Sequence, residues 1–417
     1  MTQSNNSALH ASTCSPIAKL LRAQAVRERC AMVQQWVAEN RSPHFALDPA
    51  GLERAGALVI EVTRENYPDL KVPLHSRWRH FCIDGIDRSQ DVLSTAPDAR
   101  ERARTAMDLA TISVLLDAGA GDAWRYRDNT SGRTFARSEG LAIASLEMFR
   151  VGAFSSDRTH PLRVDAAALA RLDSGTLARH FQASAENPLV GLEKRCELLR
   201  RLGAALAAQP QLFGANPARP GNLLDYFSKL ASDGAIPAGA LLATLLEAFA
   251  SIWPSGLMPD GVCIGDAGHH PAVRTGDETN GIVPFHKLSQ WLAYSLIEPL
   301  AMGSIKVEKI DELTALSEYR NGGLLIDTGA IRSRAAIDPR RQHAVGSELV
   351  VEWRALTVGL MDRLLNVVRV KLRLGTDFTM PQMLQGGTWA AGRRIARELR
   401  PPDGPPPICI IADGTVF

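Results

Sequence analysis

Apolar residues recur at helical spacing along most of the chain, which has 417 residues. Between Ser15 and Asn40 they follow the i, i+3, i+4 pattern after a Ser-Pro start, which predicts an amphipathic helix. A β-prone run at Ile408–Ile411 favours a short strand. Similar periodic segments predict helices at about 96–116, from 138 with Ser138 as N-cap, and at 165–185, 192–208, 222–230, 238–249, 285–300, 311–319 and 346–372. The pattern predicts a mainly α fold with a few short strands.

Between Pro254 and Pro284 the helical pattern gives way to a stretch rich in Gly, Pro, Asp and His. Long loops inside compact domains are more often functional than idle, so this stretch is a candidate binding region. The length of the chain allows one to three domains. We interpret it as a single large helical domain over 1–417, with a possible division into 1–160 and a part 161–417 that carries the motifs described below.

The charge balance points to a small-molecule partner, because 47 Lys and Arg against 45 Asp and Glu give no global field to attract nucleic acid or an anionic membrane. Six cysteines are scattered without a CxxC pair, which argues against a disulfide framework or a zinc finger. The first residues do not resemble a secretory signal, and no apolar run has the length of a membrane span. We therefore expect a cytoplasmic protein with no cofactor, no nucleic-acid partner and no membrane partner.

The predicted helix at 285–300 carries the first group of candidate site residues. Its apolar positions would face the core, while Lys287, Gln290, Tyr294 and Glu298 share another face. A lysine on such a face is by default solvated. Because this one follows His286 at the start of a helix and next to the Gly- and Asp-rich loop, it also suits binding of a phosphate or carboxylate.

A second group follows at the predicted helix 311–319. Glu318, Tyr319 and Arg320 would lie in its last turn, with Asn321-Gly322-Gly323 as a C-terminal stop. A carboxylate placed there can polarise a water or stabilise a sugar cation, and an arginine can bind phosphate with two hydrogen bonds. An ordinary Glu–Arg surface pair at a helix end is the alternative, and the pattern does not decide between the two.

The loops supply further candidates. Asp266, His269 and His270, followed by Asp277 and Glu278, have the residue types of a metal site without a recognised ligand spacing. Loop hydrogen bonding or substrate contact is the favoured interpretation, with Asp277 as a second candidate catalytic carboxylate and no metal. In the Gly-rich segment DAGAGDAW, close backbone approach would let Trp124 stack on a planar ligand.

Several of these segments resemble known families. FHKLSQWLAYSL followed by DELTALSEYRNGG is similar to a paired motif of the queuosine 5′-phosphate N-glycosylases, an aromatic-x-Lys-x-x-Gln helix and an Asp-x-Leu-Thr-x-Phe-Ala-Asp-Tyr-Arg segment. A larger part of the chain looks like the uracil-catabolism family of fungi and bacteria, long catalogued as a domain of unknown function. That likeness rests on LLDAGAGDAWRYRD with RSEGLAIAS (Leu115 to Ser145), VPFHKLSQWLAYSLIEPL, LTALSEYRNGGLLIDTGAI, and PQMLQGGTWAAGRRIA with ADGTVF.

The resemblance implies a fold related to the helical DNA glycosylases and a role in pyrimidine degradation. In that pathway a uracil phosphoribosyltransferase makes uracil into a nucleotide, and a cyclohydrolase-like enzyme opens the ring. The implied reaction then cleaves the N-glycosidic bond of a ribosylurea-type nucleotide and releases urea and a sugar phosphate. Two other functions stay open: a metal-dependent amidohydrolase or deaminase acting on the opened pyrimidine, and a non-catalytic partner subunit of the ring-opening enzyme.

The resemblance also assigns roles to individual residues. Lys287 matches the lysine near the phosphoribosyl part of the substrate, and Gln290 matches the glutamine of the same helix. Tyr319 and Arg320 match directly, whereas Glu318 stands where the glycosylases have aspartate. The substitution keeps a carboxylate but moves it outward by one methylene, so its contact could be a ribose hydroxyl or a water. The reaction would pass through an oxocarbenium-like sugar, with water adding to C1.

Overall fold

The structure is a computed structural model that describes residues 15–253, 256–338, 340–411 and Gly414. Its α-helices, in chain order, are α1 (Pro16–Leu20), α2 (Ala23–Ala38), α3 (Pro49–Asn66), α4 (Gln90–Leu93), α5 (Ala99–Leu115), α6 (Arg137–Arg150), α7 (Ala166–Ala170), α8 (Ser174–His180), α9 (Leu192–Ala208), α10 (Pro210–Phe213), α11 (Leu223–Leu230), α12 (Ala238–Phe249), α13 (Lys287–Met302), α14 (Tyr319–Asp327), α15 (Glu348–Leu372), α16 (Met380–Met383) and α17 (Trp389–Leu399). Across the described ranges, no helix combines the length and apolar character needed to cross a membrane.

Among the described residues, the strands are two or three residues long and form two-stranded sheets. They are β1 (Phe45–Leu47), β2 (Cys82–Ile83), β3 (Ile86–Asp87), β4 (Tyr126–Arg127), β5 (Thr134–Phe135), β6 (Ala235–Pro237), β7 (Ala267–His269), β8 (Ile282–Pro284), β9 (Lys306–Glu308), β10 (Ile331–Ser333), β11 (Gln342–His343) and β12 (Cys409–Ile410). The pairs β1–β10, β2–β3, β4–β5 and β7–β8 are antiparallel, and β6–β9 and β11–β12 are parallel. The prediction of a mainly α fold with a few short strands is confirmed.

The chain forms two compact units that are interleaved in sequence. Unit 1 comprises Met1–His75, Gly256–Lys287 and Ile310–Ile411. Unit 2 comprises Ser76–Ser255, Leu288–Lys309 and Ala412–Phe417. The interpretation as one domain, with a possible division after residue 160, stays a prediction.

Helix α15 is the centre of unit 1. Every residue from Val350 to Val358 along it is buried, so the helix is enclosed on all sides over more than two turns. It packs against α2, α3 and α14. One cluster of this core joins α2, the β7–β8 region and α15 through Val26, Cys30, Val33, Val273, Val283, Phe285, Val351, Ala355 and Val358.

Unit 2 is built around α5 and α6, which pack against each other. Arg195, which is fully buried on α9, fixes the chain that follows α5. Its guanidinium donates to the carbonyl oxygens of Leu116, Ala118 and Gly119 at 2.5, 2.9 and 2.8 Å. Because no side chain on this loop accepts these bonds, the arginine holds the backbone itself in place.

Five local predictions were wrong. The predicted 15–40 helix breaks into α1 and α2, and the predicted 165–185 helix breaks into α7 and α8. Ser138 is not an N-cap, because α6 already begins at Arg137. The polar face expected on α13 is not a solvated face, since Gln290 and Tyr294 are buried. The fifth error, at 311–319, matters most: no α-helix spans these residues, and α14 begins where the predicted helix was expected to end.

Asn321, Gly322 and Gly323 lie in the first turns of α14. The helix packs closely against its neighbours at this point, and a glycine makes that approach possible. A Cβ atom on Gly322 would lie 2.6 Å from Nε1 of Trp353 on α15. A Cβ atom on Gly323 would meet Cδ of Pro407 at 3.3 Å, a much milder contact. The first glycine therefore permits the approach of α14 to α15, and the second has more room.

This difference gives a test of the packing between α14 and α15. We expect Gly322→Ala to destabilise the protein by about 1–3 kcal/mol, because the added methyl group overpacks the contact with Trp353. Gly323→Ala is the matched control and should be neutral or stabilising, since alanine favours a helix interior by up to about 1 kcal/mol over glycine. Thermal unfolding followed by circular dichroism measures both; equal midpoints for the two variants would contradict the close packing.

Candidate functional site

Asp266 organises the start of α13 within unit 1. Its backbone oxygen accepts hydrogen bonds from the N–H groups of Phe285 and His286 at 2.9 and 3.1 Å. Its carboxylate Oδ2 accepts from the N–H of Lys287, the first residue of α13, at 2.9 Å. The last part of the Gly- and Asp-rich loop thereby sets the direction in which α13 begins.

Arg354 holds the same carboxylate from the opposite side. Nη1 and Nη2 donate to Oδ1 and Oδ2 of Asp266 at 2.8 and 2.7 Å, and both side chains are nearly inaccessible to solvent. Burial by itself would raise the pKa of Asp266, but the charge and hydrogen bonds of Arg354, together with the hydrogen bond from the Lys287 backbone, lower that pKa. The guanidinium also lies 4.0 Å from the ring centre of Phe285. Asp266 is therefore fixed as an anion.

Glu318 is the N-cap of α14. Its Oε2 and Oε1 atoms accept hydrogen bonds from the backbone N–H groups of Arg320 and Asn321 at 2.7 and 2.6 Å. The sequence pattern predicted Glu318, Tyr319 and Arg320 at the C-terminal end of a helix, and that prediction was wrong. Because the amides at a helix N-terminus carry partial positive charge, the correction places Glu318 where an anion is stabilised.

Ser317 connects this cap to Arg354. Nη2 of Arg354 lies 3.2 Å from Oγ of Ser317 and also donates to Asp266. One guanidinium therefore contacts both the residue that holds the start of α13 and the residue before the N-cap of α14.

Burial raises the pKa of Glu318, and its two backbone hydrogen bonds and the charges of Lys287 and Arg320 only partly offset that rise. The site contains two carboxylates whose pKa values are shifted in opposite directions.

The residues after the cap differ in exposure. Arg320 is buried, donates from Nη1 to the backbone oxygen of Gly404 at 2.9 Å, and lies 5.0 Å from the ring centre of Tyr319. Tyr319 and Lys287 are only half-buried. Of the predicted substrate-binding residues in unit 1, these two present the most surface.

His286 is held in an unusual conformation beside Lys287. Its φ of 52° lies in the left-handed region, and its buried ring places Nε2 2.8 Å from the backbone oxygen of Leu20. Burial lowers its pKa, so the imidazole is neutral at physiological pH. Since Leu20 offers an acceptor, Nε2 carries the hydrogen and Nδ1 is an acceptor atom, with no hydrogen-bond partner within the described part of the chain.

The structure does not bring Asp277 into this group. Its carboxylate is exposed and accepts hydrogen bonds within its own turn, from Thr279 and from Thr275. These hydrogen bonds, chiefly the two from Thr279, lower the pKa of Asp277. A catalytic role for Asp277 stays a prediction.

The two remaining predicted site residues belong to unit 2. Trp124 is fully buried, stacks on Phe181 with 6.3 Å between ring centres, and donates from Nε1 to the backbone oxygen of Phe181 at 2.9 Å. Gln290 is also fully buried, on α13. Trp124 already has a structural role in the core, and its contact with a ligand stays a prediction, as does that of Gln290.

The candidate metal residues have separate partners. Asp266 is held by Arg354, whereas Nε2 of the buried His270 lies 3.0 Å from Oε2 of Glu352. His269 is exposed. Within the described ranges, no group of three or more His, Cys, Asp and Glu side chains is placed to hold a metal ion.

Arg354 and Ser317 were not among the residues predicted from the sequence. Arg354 and Glu352 sit in the otherwise apolar segment LVVEWRALTVGLM, in a long helix. Charged residues flanked on every side by apolar positions have to be buried, and a buried charge needs a partner. That signal was present in the sequence, although it did not say which residues are the partners.

Comparisons with known proteins give the family. "Protein urg3" of Schizosaccharomyces pombe (strain 972 / ATCC 24843) is 36% identical over 415 residues, covering 96% of this chain and 99% of the relative. "Uracil catabolism protein 4" of Lachancea kluyveri is 35% identical over 438 residues, covering 97% and 99%. The family described as "Protein of unknown function (DUF1688)" matches residues 19–417. Because these similarities extend over nearly the whole length, the chain belongs to the DUF1688 family.

Proposed function

We propose that this protein acts in uracil catabolism as an N-glycosidase that hydrolyses a ribosylurea-type nucleotide to urea and a sugar phosphate. The pathway is supported by the relative named uracil catabolism protein 4, which matches 97% of the chain. In this proposal the substrate comes from a cyclohydrolase-type ring opening of a nucleotide that a uracil phosphoribosyltransferase supplies. The likeness of the fold to queuosine phosphate N-glycosylases is part of the same proposal.

The observation that carries the reaction is the state of Glu318. Burial raises the pKa of this carboxyl above its usual value, while the N-terminal amides of α14 and the nearby charge of Lys287 support its ionised form. A carboxylate with a raised pKa accepts a proton from water more readily than an ordinary glutamate. Each oxygen uses one acceptor position for the backbone, which leaves a second position for water or a sugar hydroxyl.

The proposed reaction needs one water and no cofactor. The bond between the sugar C1 and the ureido nitrogen breaks with its electron pair moving to nitrogen, and the C1 cation is stabilised by the Glu318 carboxylate. The water oxygen then forms a bond to C1 and gives one proton to Glu318. The leaving nitrogen takes one proton from solvent, and Glu318 returns its proton to solvent, so urea departs neutral, the sugar phosphate remains and the carboxylate is regenerated.

Lys287 is the residue we assign to the phosphate of the substrate. It is half-buried at the start of α13, where the helix amides add positive potential, and its charge acts on Glu318. Arg320 is buried and donates to the backbone oxygen of Gly404. We therefore assign it no direct contact with the phosphate; its positive charge acts on Glu318. Asp266 and Arg354 position the start of α13 without touching the substrate.

Direct assay of urea release from chemically made ribosylurea 5-phosphate tests the reaction. Glu318→Gln should lower the rate by about 10²- to 10⁴-fold with the substrate still bound, because the proton acceptor is removed. Glu318→Asp keeps a carboxylate and a good N-cap residue, so it should retain more activity than Gln. No urea from the wild-type protein, with or without added divalent metal, contradicts the proposal.

The effect of Glu318→Gln on the stability of α14 must be distinguished from its effect on the reaction. Asp98 caps α5 through the N–H of Glu101 at 2.7 Å, so Asp98→Ala is a matched control that removes a cap elsewhere. Both Glu318→Gln and Asp98→Ala should cost about 0.5–2 kcal/mol of stability, measured by thermal unfolding. Only the first should abolish urea release; a proportional loss in both would make Glu318 a structural residue.

The pH dependence has a defined direction. Because Glu318 must be ionised to accept a proton and burial raises its pKa, the rate should fall as the pH decreases through a pKa above the usual glutamate value. This acidic limb should be absent from the residual activity of Glu318→Gln. A wild-type rate that rises as the pH is lowered through the same range would assign the opposite role, that of a general acid.

Phosphate recognition by Lys287 predicts a change that depends on the substrate. Lys287→Met should reduce kcat/KM for ribosylurea 5-phosphate by about ten- to a hundredfold, the loss expected for a hydrogen bond to a charged group. The loss of kcat/KM for unphosphorylated ribosylurea should be clearly smaller, because only the effect of the Lys287 charge on Glu318 is then removed. Lys306→Met removes an exposed lysine and is the control. Equal losses of kcat/KM on both substrates would contradict the assignment of Lys287 to the phosphate.

A further inference from the structure

A second polar cluster lies in unit 2, around Arg77 in the segment before β2. Arg77 is fully buried. Its Nη1 atom lies 3.1 Å from Oδ2 of Asp117 and donates to the backbone oxygen of Ser138 at 3.2 Å. These partners come from the two sequence segments between Leu115 and Ser145 that resemble the uracil-catabolism family, and neither takes part in the site of unit 1.

A chain of hydrogen bonds with a defined direction fixes the guanidinium plane. Nε of Arg77 donates to Oγ of Ser113 at 2.7 Å, so the hydroxyl of Ser113 is free to donate to Ser145, whose Oγ lies 2.6 Å away. Ser145 in turn donates to the backbone oxygen of Ala142 at 2.8 Å. Each hydroxyl hydrogen is used, so the serines orient Arg77 and offer no donor to a ligand.

Two polar atoms of this cluster have no hydrogen-bond partner among the described residues: Nη2 of Arg77 and Oδ1 of Asp117. Both are buried, and the Asp117 side chain is only 8% exposed. Buried polar atoms without partners are rare in native proteins because each costs free energy. They belong to one ion pair, so a donor and an acceptor lie close together.

The charges around the two atoms define the ligand that fits them. Asp117 and the nearby Glu139 disfavour an anion, since both act on Arg77 as negative charges. The guanidinium disfavours a metal ion or an organic cation. With anions and cations disfavoured, the group that fits is neutral: it accepts a hydrogen bond from Nη2 of Arg77 and donates one to Oδ1 of Asp117. A carbonyl next to an N–H, as in a ureido group or the imide of uracil, has this pattern.

We propose that Arg77 and Asp117 form a binding site for a neutral carbonyl–NH group, with the carbonyl oxygen on Nη2 of Arg77 and the N–H on Oδ1 of Asp117. The proposal does not rest on the glycosidase reaction or on any residue of unit 1. It assigns a function to Arg77 and Asp117, which take no part in the site around Glu318.

Equilibrium binding to the full chain tests the proposal with named probes. Uracil and methylurea, titrated by calorimetry, represent the cyclic and open forms of the group, and 1,3-dimethyluracil lacks both N–H donors. We expect saturable binding of at least one of the first two and at least tenfold weaker binding of 1,3-dimethyluracil. Failure of both probes to bind, or equal affinity for uracil and its dimethyl derivative, overturns the proposal without any variant.

Variants then locate the binding. Asp117→Asn keeps the shape of the side chain but puts a donor in competition with the acceptor, and it should weaken binding of the probe at least tenfold. Asp128→Asn is the matched control, because Asp128 is buried and pairs with Arg88 at 3.1 Å in the same unit, with both carboxylate oxygens hydrogen-bonded. Arg77→Lys serves as a second variant if Asp117→Asn fails to fold. Unchanged affinity in a folded variant of either residue would falsify the assignment.

Discussion

The ion pair between Asp266 and Arg354 is the contact on which the site in unit 1 depends. Asp266 precedes β7 and Arg354 lies in the middle of α15, so the pair joins a loop to the central helix of the unit. The ionised carboxylate, bonded on both oxygens, adds the Lys287 and Arg354 contacts to the backbone hydrogen bonds that Asp266 makes with Phe285 and His286. Removing one partner of such a buried pair leaves an uncompensated charge, a loss of about 3–5 kcal/mol. Arg354 also reaches Ser317, so the position of the Glu318 cap follows from the same contact.

Asp266 and Glu318 show how one small region gives two carboxylates different properties. Both are buried, but a bidentate guanidinium faces the first, whereas backbone amides and more distant charges face the second. Asp266 therefore remains ionised and structural, and Glu318 keeps the capacity to exchange a proton. Opposite pKa shifts in neighbouring acids are a common way in which active sites separate structural from chemical roles.

The sequence was sufficient for most helices and insufficient for the site geometry. Helices such as α9 and α12 were predicted with their observed bounds because apolar periodicity and length agree there. The prediction for the segment before α14 failed because Gly322 and Gly323 were interpreted as a helix stop, although the small size of Gly322 serves the contact with Trp353. The pair between Asp266 and Arg354 spans 88 positions, and no local pattern specifies such a partner. The sequence showed the polar residues at 287 and 318–320, but not that Glu318 lies at the N-terminus of α14, which depends on the packing of the folded chain.

The interleaving of the units has a consequence for biosynthesis. Strand β1 at Phe45–Leu47 pairs with β10 at Ile331–Ser333, and Arg27 on α2 binds Asp362 on α15. A ribosome that adds ~5–20 residues per second needs roughly 15–60 s to reach β10 after completing β1. During this interval most of unit 2 has already emerged, while α2 and α3 expose apolar faces that only the C-terminal third of the chain can cover. Until the second half of the chain has been translated, the apolar faces of α2 and α3 therefore lack most of the partners that bury them in the folded protein.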